Sequence, residues 1–141
     1  MNELEEGMAS SVAWGKVQSA ARTGQGLVPV VLQDADTDEV LYVGFANEEA
    51  LRETFDTGTA VLWSSSRDEL WRKGATSGDV LVIDEVRINC EQNSLLYRVR
   101  PQRSGACHTR EADGASRRTC YYRRLDPSGA LHFIPGFSPV T

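Results

Sequence analysis

The sequence predicts a mostly antiparallel α+β domain with one or two short helices, on three observations. Short runs rich in β-branched residues recur along the chain and are separated by turn signals. One segment, Asn47 to Gly58, carries helix-start and helix-stop residues at its two ends. The chain has 141 residues without an internal repeat, the size of a single domain with a modest core.

Residues 1–26 are weakly patterned and read as an N-terminal tail, partly disordered or with a short helix across Val12 to Arg22. The domain proper is expected over 27–141. Leu27 to Gln33 is apolar and β-branched, hence a strand. Asp34-Ala35-Asp36-Thr37-Asp38 supplies a turn, because short Asp and Thr side chains bond their own backbone. Glu39 to Phe45 is the returning strand of a hairpin. Asn47 caps a helix through Asp56, Glu48 and Glu49 suit its positive end, and Gly58 terminates it. Thr59 to Ser64, Val80 to Ile88 and Ser94 to Arg100 read as further strands. A last pair, Thr119 to Leu125 and Ala130 to Ile134, flanks the turn Pro127-Ser128-Gly129.

Composition narrows the function classes. No apolar run approaches the roughly 20 residues of a membrane span, and the acidic start does not read as a secretory signal. The cytoplasm is therefore the expected compartment, with no membrane partner. A net charge of −5 gives no overall field toward a nucleic acid polymer. Eight arginines nevertheless fall in one C-terminal stretch, from Arg98 through Arg103 and Arg110 to Arg124. They form either a solvated basic face or a set of which some neutralise substrate phosphate.

Three cysteines, Cys90, Cys107 and Cys120, are too few and too odd in number for a disulfide framework. Their neighbours are polar: Asn89 and Glu91, His108, and Arg117-Arg118-Thr119. Such settings suit metal ligands or reactive thiolates better than core packing. Three thiolates fall short of the four ligands of a structural zinc site but suffice for a catalytic one with an open position for water. His108 is then a fourth ligand or a proton carrier. The second role is favoured, because adjacent side chains of an extended segment point in opposite directions.

A second constellation runs from Trp63-Ser64-Ser65-Ser66-Arg67 to Leu70-Trp71-Arg72-Lys73-Gly74-Ala75-Thr76-Ser77-Gly78. Hydroxyls, cations and glycine-bearing turns suit a phosphate-bearing ligand. The tryptophans stack on a base or fill the core. His132 lies outside both sets and reads as structural.

The two constellations together resemble the phosphoribosyl-AMP cyclohydrolase family of histidine biosynthesis, across residues 27 to 124. The resemblance rests on pieces in family order: Leu27 to Asp34, Asn47 to Leu51, Trp63 to Arg67, Leu70-Trp71, Lys73-Gly74, Thr76-Ser77-Gly78, the Cys90 segment, Cys107-His108-Thr109 and Cys120-Tyr121-Tyr122-Arg123. It implies a zinc-activated water attacking adenine C6 of N1-(phosphoribosyl)-AMP and opening the ring between N1 and C6. It further implies Cys90, Cys107 and Cys120 as zinc ligands, shared between subunits of a homodimer, and His108 in proton transfer. Trp63, Ser64, Ser66, Arg67, Lys73, Thr76, Ser77 and Gly78 are the expected contacts to the nucleotide substrate.

The sequence departs from the family pattern twice. Where the family has D-C-D-x-D, with aspartates linked to magnesium, this chain has Asn89-Cys90-Glu91-Gln92-Asn93. Three carboxylates have become one, so Asn89, Glu91 and Asn93 form a degenerate magnesium site without tight binding. The stretch from Cys107 to Cys120 is also longer than the family's C-H-T-G-x-R-S-C, with 110–115 as the insertion and Arg110 at the family's glycine. These departures leave three expectations open: the family reaction, a related heterocyclic nucleotide as substrate, or a non-catalytic zinc and nucleotide binder.

Overall fold

The computed structural model describes residues 2–140. Two short helices, Glu3–Glu6 (α1) and Lys16–Ala21 (α2), precede the first strand. Val28–Asp34 (β1) and Val40–Ala46 (β2) form the expected antiparallel hairpin. Its turn closes as the Asp-rich sequence requires, with Asp34 Oδ1 accepting the Asp36 and Thr37 amides at 2.8 and 3.1 Å. The helix Glu48–Thr57 (α3) begins where Asn47 accepts the Ala50 amide at 2.8 Å. It ends at Gly58, in the left-handed conformation with φ 71°.

After α3 come Val61–Ser64 (β3), Glu69–Arg72 (β4), Leu81–Ile88 (β5) and Leu95–Pro101 (β6). A two-stranded ribbon of Arg123–Leu125 (β7) and Leu131–Phe133 (β8) closes the chain. The main sheet has the order β4-β3-β2-β1-β6-β5. Every pair is antiparallel except β1 with β6. That parallel contact is possible because β2, α3 and β3 to β5 lie between the two strands in sequence, long enough for a crossover. The class is α+β, as the sequence predicts.

One face of the sheet forms the core. Val30 and Leu32 of β1 alternate inward and meet Leu95 and Tyr97 of β6, with Val99 beyond; Leu41, Leu62 and Leu81 complete the layer. Leu32, Leu41, Leu62 and Leu81 are fully buried, which contributes about 1.5–3 kcal/mol apiece. Helix α3 seals against β2 and β3 through Ala50 and Thr54. The Thr54 hydroxyl accepts the Val61 amide at 3.0 Å and donates to the Ala50 carbonyl at 2.8 Å, so helix and strand share one buried polar group.

Strand β4 is not among the strands expected from the sequence. It is a four-residue edge strand whose pairing with β3 sets Trp63 opposite Leu70 and Leu62 opposite Trp71. A run this short has no periodicity of its own, and only the partner strand defines it. The 119–125 strand is likewise shorter than expected, because Thr119 and Cys120 bond across to β2 instead. The Thr119 hydroxyl donates to Val40 O at 2.8 Å and the Cys120 amide to Leu41 O at 2.8 Å. No helix among the described residues is long and apolar enough to cross a membrane.

Candidate active site

The β3–β4 hairpin builds one wall of the site. Its turn, Ser65 to Asp68, has Asp68 at φ 54° and brings the Ser64 and Ser66 hydroxyls to 3.3 Å of each other. Following β4, the chain makes a turn that requires glycine: Gly74 has φ 86°, and a Cβ there would lie 2.4 Å from Val80 N. Lys73, beside it, is buried. At the end of the turn Arg103 packs on Gly78 and donates to Ser77 O at 3.2 Å.

Two adjoining clefts result. The larger, about 490 Å³, is lined by Arg67, Lys73, Thr76, Ser77, His108 and Arg110. The smaller, about 240 Å³, is lined by Tyr42, Trp63, Ser64, Ser66 and Cys120. Trp71 and His108 line both and stand between them. The two clefts therefore collect almost every residue of the second constellation, one cationic and hydroxyl-rich, the other aromatic. Gly78 shapes the turn at the edge of the larger cleft.

The Cys120 thiol lines the smaller cleft, and Cys107 lies close enough to it for the two thiols to influence one another's ionisation. The Cys107 sulfur also lies 2.9 Å from the Thr109 hydroxyl and 3.4 Å from its amide nitrogen. The Cys120 thiol and then these Thr109 groups pull the Cys107 thiol well below its ordinary range, against burial. Cys120, which is open to solvent in the smaller cleft, is pushed up in turn by its neighbour Cys107. Burial likewise lowers the Lys73 ammonium, opposed by the charge of Asp79, which itself accepts the Ser116 hydroxyl at 2.7 Å. A buried cation beside a thiolate-favouring pair makes the junction electrostatically receptive to an anion or a soft metal.

Cys90 stands apart. It lies exposed in the turn joining β5 to β6, and no group of three or more His, Cys, Asp or Glu able to hold one ion occurs among the described residues. Two of the three expected thiols thus converge within one chain and the third does not. Its neighbours are engaged in the turn itself. Asn89 Oδ1 accepts the amides of Asn93 and Ser94, each at 2.9 Å, while Asn89 Nδ2 donates to Asn93 Oδ1 at 2.6 Å. Asn93 Nδ2 in turn faces Glu91 at 3.3 Å. The carbonyl oxygens that a hard cation would need are bound within the hairpin, so Asn89, Glu91 and Asn93 do not fit a magnesium site.

Several contributors are invisible to motif reading. Tyr42 faces Trp71 at 6.0 Å between ring centroids, and no local signal marks it. Most of the C-terminal arginines hold the fold: Arg98 pairs with Asp38 and Glu85, Arg100 with Asp36 and Asp84, and Arg118 with Glu39. Arg117 is wholly buried and takes a bidentate pair with Glu6, at 2.8 Å for both bonds. Arg110 instead lines the larger cleft, its guanidinium donating to Gly114 O within the inserted turn. That insertion is itself ordered, closed by an Arg110–Ser116 bridge and the Glu111 amide on Ala115 O. His108 meets Glu5 of α1 at 2.8 Å.

Comparison with known proteins identifies the family. The family described as phosphoribosyl-AMP cyclohydrolase matches residues 42–122, which include both clefts' motif residues and all three cysteines. A phosphoribosyl-AMP cyclohydrolase of Salinibacter ruber is 43% identical over 113 residues, 80% of this chain and 84% of the relative. One of Halobacterium salinarum is 48% identical over 103 residues, 73% and 74% of the two chains. A histidine biosynthesis bifunctional protein of Thermus thermophilus is 50% identical over 113 residues, 79% of this chain and 50% of the longer relative. On the family match over more than half of its length and on these relatives, the chain belongs to the phosphoribosyl-AMP cyclohydrolase family.

Proposed function

We propose that this protein hydrolyses N1-(phosphoribosyl)-AMP, opening the purine ring between N1 and C6, with zinc as its metal. The observation that carries the reading is the pair of adjoining clefts, both lined by His108 and Trp71, with the Cys120 thiol opening into the smaller one. Soft sulfur donors, one of them favoured as thiolate, suit zinc. Cys107 and Cys120 hold it, and Cys90 of a second copy completes the set in a homodimer. Zinc bound there supplies Lewis-acid activation of water near neutral pH.

The chain's own residues do the rest. Trp63 and Trp71 give the base flat apolar surfaces in and beside the smaller cleft. Ser64, Ser66, Arg67, Lys73, Thr76 and Ser77 present hydroxyls and positive charge to phosphate oxygens. His108, lining both clefts, takes the proton from water and returns one to the departing ring nitrogen. Magnesium has no part in this scheme.

The inserted Arg110 and the self-bonded Asn89–Asn93 turn favour a second reading, hydrolysis of a related heterocyclic nucleotide by the same machinery. Zinc content and phosphoribosyl-AMP ring opening, measured on the same preparation with and without added magnesium, decide between them. Zinc near one per chain with efficient, magnesium-independent turnover supports the family reaction. Zinc without turnover refutes it and directs screening to other heterocyclic nucleotides. His108→Ala is expected to abolish turnover while retaining zinc; an unchanged rate removes His108 from the scheme.

A further inference from the structure

We propose that Glu5, in the N-terminal helix outside the family-matched segment, is the positioning residue that orients the His108 ring and fixes which of its nitrogens faces the reaction. The inference rests on the reading of His108 as the proton-transfer group. His108 Nε2 lies 2.8 Å from Glu5 Oε1. An ionised carboxylate has no hydrogen to give, so Nε2–H is the donor, and in the neutral ring Nδ1 is left with the free lone pair. The imidazole has no other hydrogen-bond partner among the described residues and its side chain is 77% exposed. Packing alone therefore does not hold the ring. The Glu5 contact does.

Glu5 can serve this purpose because α1 is anchored rather than free. A four-residue helix has no stability of its own in water. Here the next residue, Glu6, receives both Arg117 bonds and the Val140 amide at 2.9 Å. The Tyr122 hydroxyl donates to Glu5 O at 2.7 Å, and Arg123 donates to Leu4 O at 2.8 Å and Gly7 O at 2.9 Å. Arg117, Tyr122 and Arg123 flank Cys120, so the segment that carries one thiol also carries the anchor for Glu5. The Glu5 side chain is 32% exposed against the 77% of its partner, consistent with a carboxylate held in place.

The role is orientational. A hydrogen bond to an exposed imidazole adds little to global stability, whereas a partner that sets histidine tautomer and ring angle typically matters by roughly 10- to 100-fold in function. Three variants of the full-length, metal-loaded protein test it: Glu5→Ala, Glu5→Gln and His108→Ala. Glu5→Ala should lower kcat on phosphoribosyl-AMP by roughly 10- to 100-fold with KM and the melting temperature nearly unchanged. Glu5→Gln, whose side-chain carbonyl still accepts from Nε2–H, should recover most of the rate. In ¹⁵N-histidine-labelled protein, the His108 ring nitrogens should report the Nε2–H form in the wild type and lose that bias in Glu5→Ala. His132, bonded to Asp126 at 2.7 Å, should not respond.

Wild-type turnover in Glu5→Ala beside an inactive His108→Ala overturns the proposal alone. Full turnover in His108→Ala removes the proton-transfer reading and the proposal with it. A rate loss in Glu5→Ala that Gln does not recover and that follows a fall in melting temperature assigns Glu5 a merely structural role and overturns the proposal. Unchanged His108 ring nitrogens in Glu5→Ala overturn it whatever substrate the enzyme takes.

Discussion

Glu6→Ala isolates the strongest single polar contact between the N-terminal segment and the rest of the chain. The substitution removes both 2.8 Å acceptors from Arg117, whose side chain is fully buried. Stranding one member of a buried ion pair typically costs about 3–5 kcal/mol. The lower end applies here, because Arg117 keeps Ser138 O at 2.8 Å, Glu111 at 3.6 Å and the Tyr122 ring at 4.3 Å. Unfolding entropy of about 2.1 cal/mol/K per residue gives about 0.3 kcal/mol/K for this chain, so about 3 kcal/mol lowers Tm by roughly 10 °C. The assay is thermal unfolding at one fixed protein concentration, since assembly would otherwise shift Tm. The double variant Glu6→Ala/Arg117→Met removes the stranded charge and should regain more than half the loss. A single-variant shift below about 3 °C, or a double variant less stable than the two losses added, refutes the reasoning.

Glu6 also predicts an acid-dependent stability. Hydrogen bonding to Arg117, ahead of the Val140 amide and against burial, holds its carboxyl below the usual range of about 4.5. Because the folded value is depressed, the contribution is complete above pH 4.5 and is lost as pH falls through the folded value. Urea midpoints measured from pH 7 to 3 should fall less steeply for Glu6→Gln than for wild type. Thr54→Val keeps the shape of the α3–β3 contact but strands the Val61 amide, and should cost about 1–3 kcal/mol in a urea titration. Gly74→Ala drives a Cβ into the Val80 backbone at a positive φ. Steady-state kinetics should show KM for a phosphate-bearing substrate rising severalfold while the circular dichroism spectrum is kept.

The features legible from sequence are those whose causes are local. Asn47 and Gly58 mark α3 because capping and left-handed backbone are properties of single residues. Asp34 marks its turn because its carboxylate bonds amides two and three positions on. The β-branched runs mark β1, β2, β5 and β6 because alternation matches a half-buried strand. Residue type also singled out Trp63 to Gly78 and the Cys107-His108 pair, since soft donors, hydroxyls and cations carry their chemistry with them.

What tertiary structure alone decides are the pairings made across long stretches of chain. A basic run in sequence does not say that Arg117 will be buried by a glutamate 111 positions away while Arg110 lines a cleft. The acidic start reads as an unassigned tail, and only the contacts of Arg117, Tyr122 and Arg123 turn it into a folded anchor beside His108. Three cysteines of equal character are likewise separated by topology. The Cys107 amide bonds back to Arg117 O, which brings it near Cys120, while the β5–β6 turn carries Cys90 away. Side-chain chemistry is encoded residue by residue, but partner choice depends on which strand edges and loops the folded chain brings together.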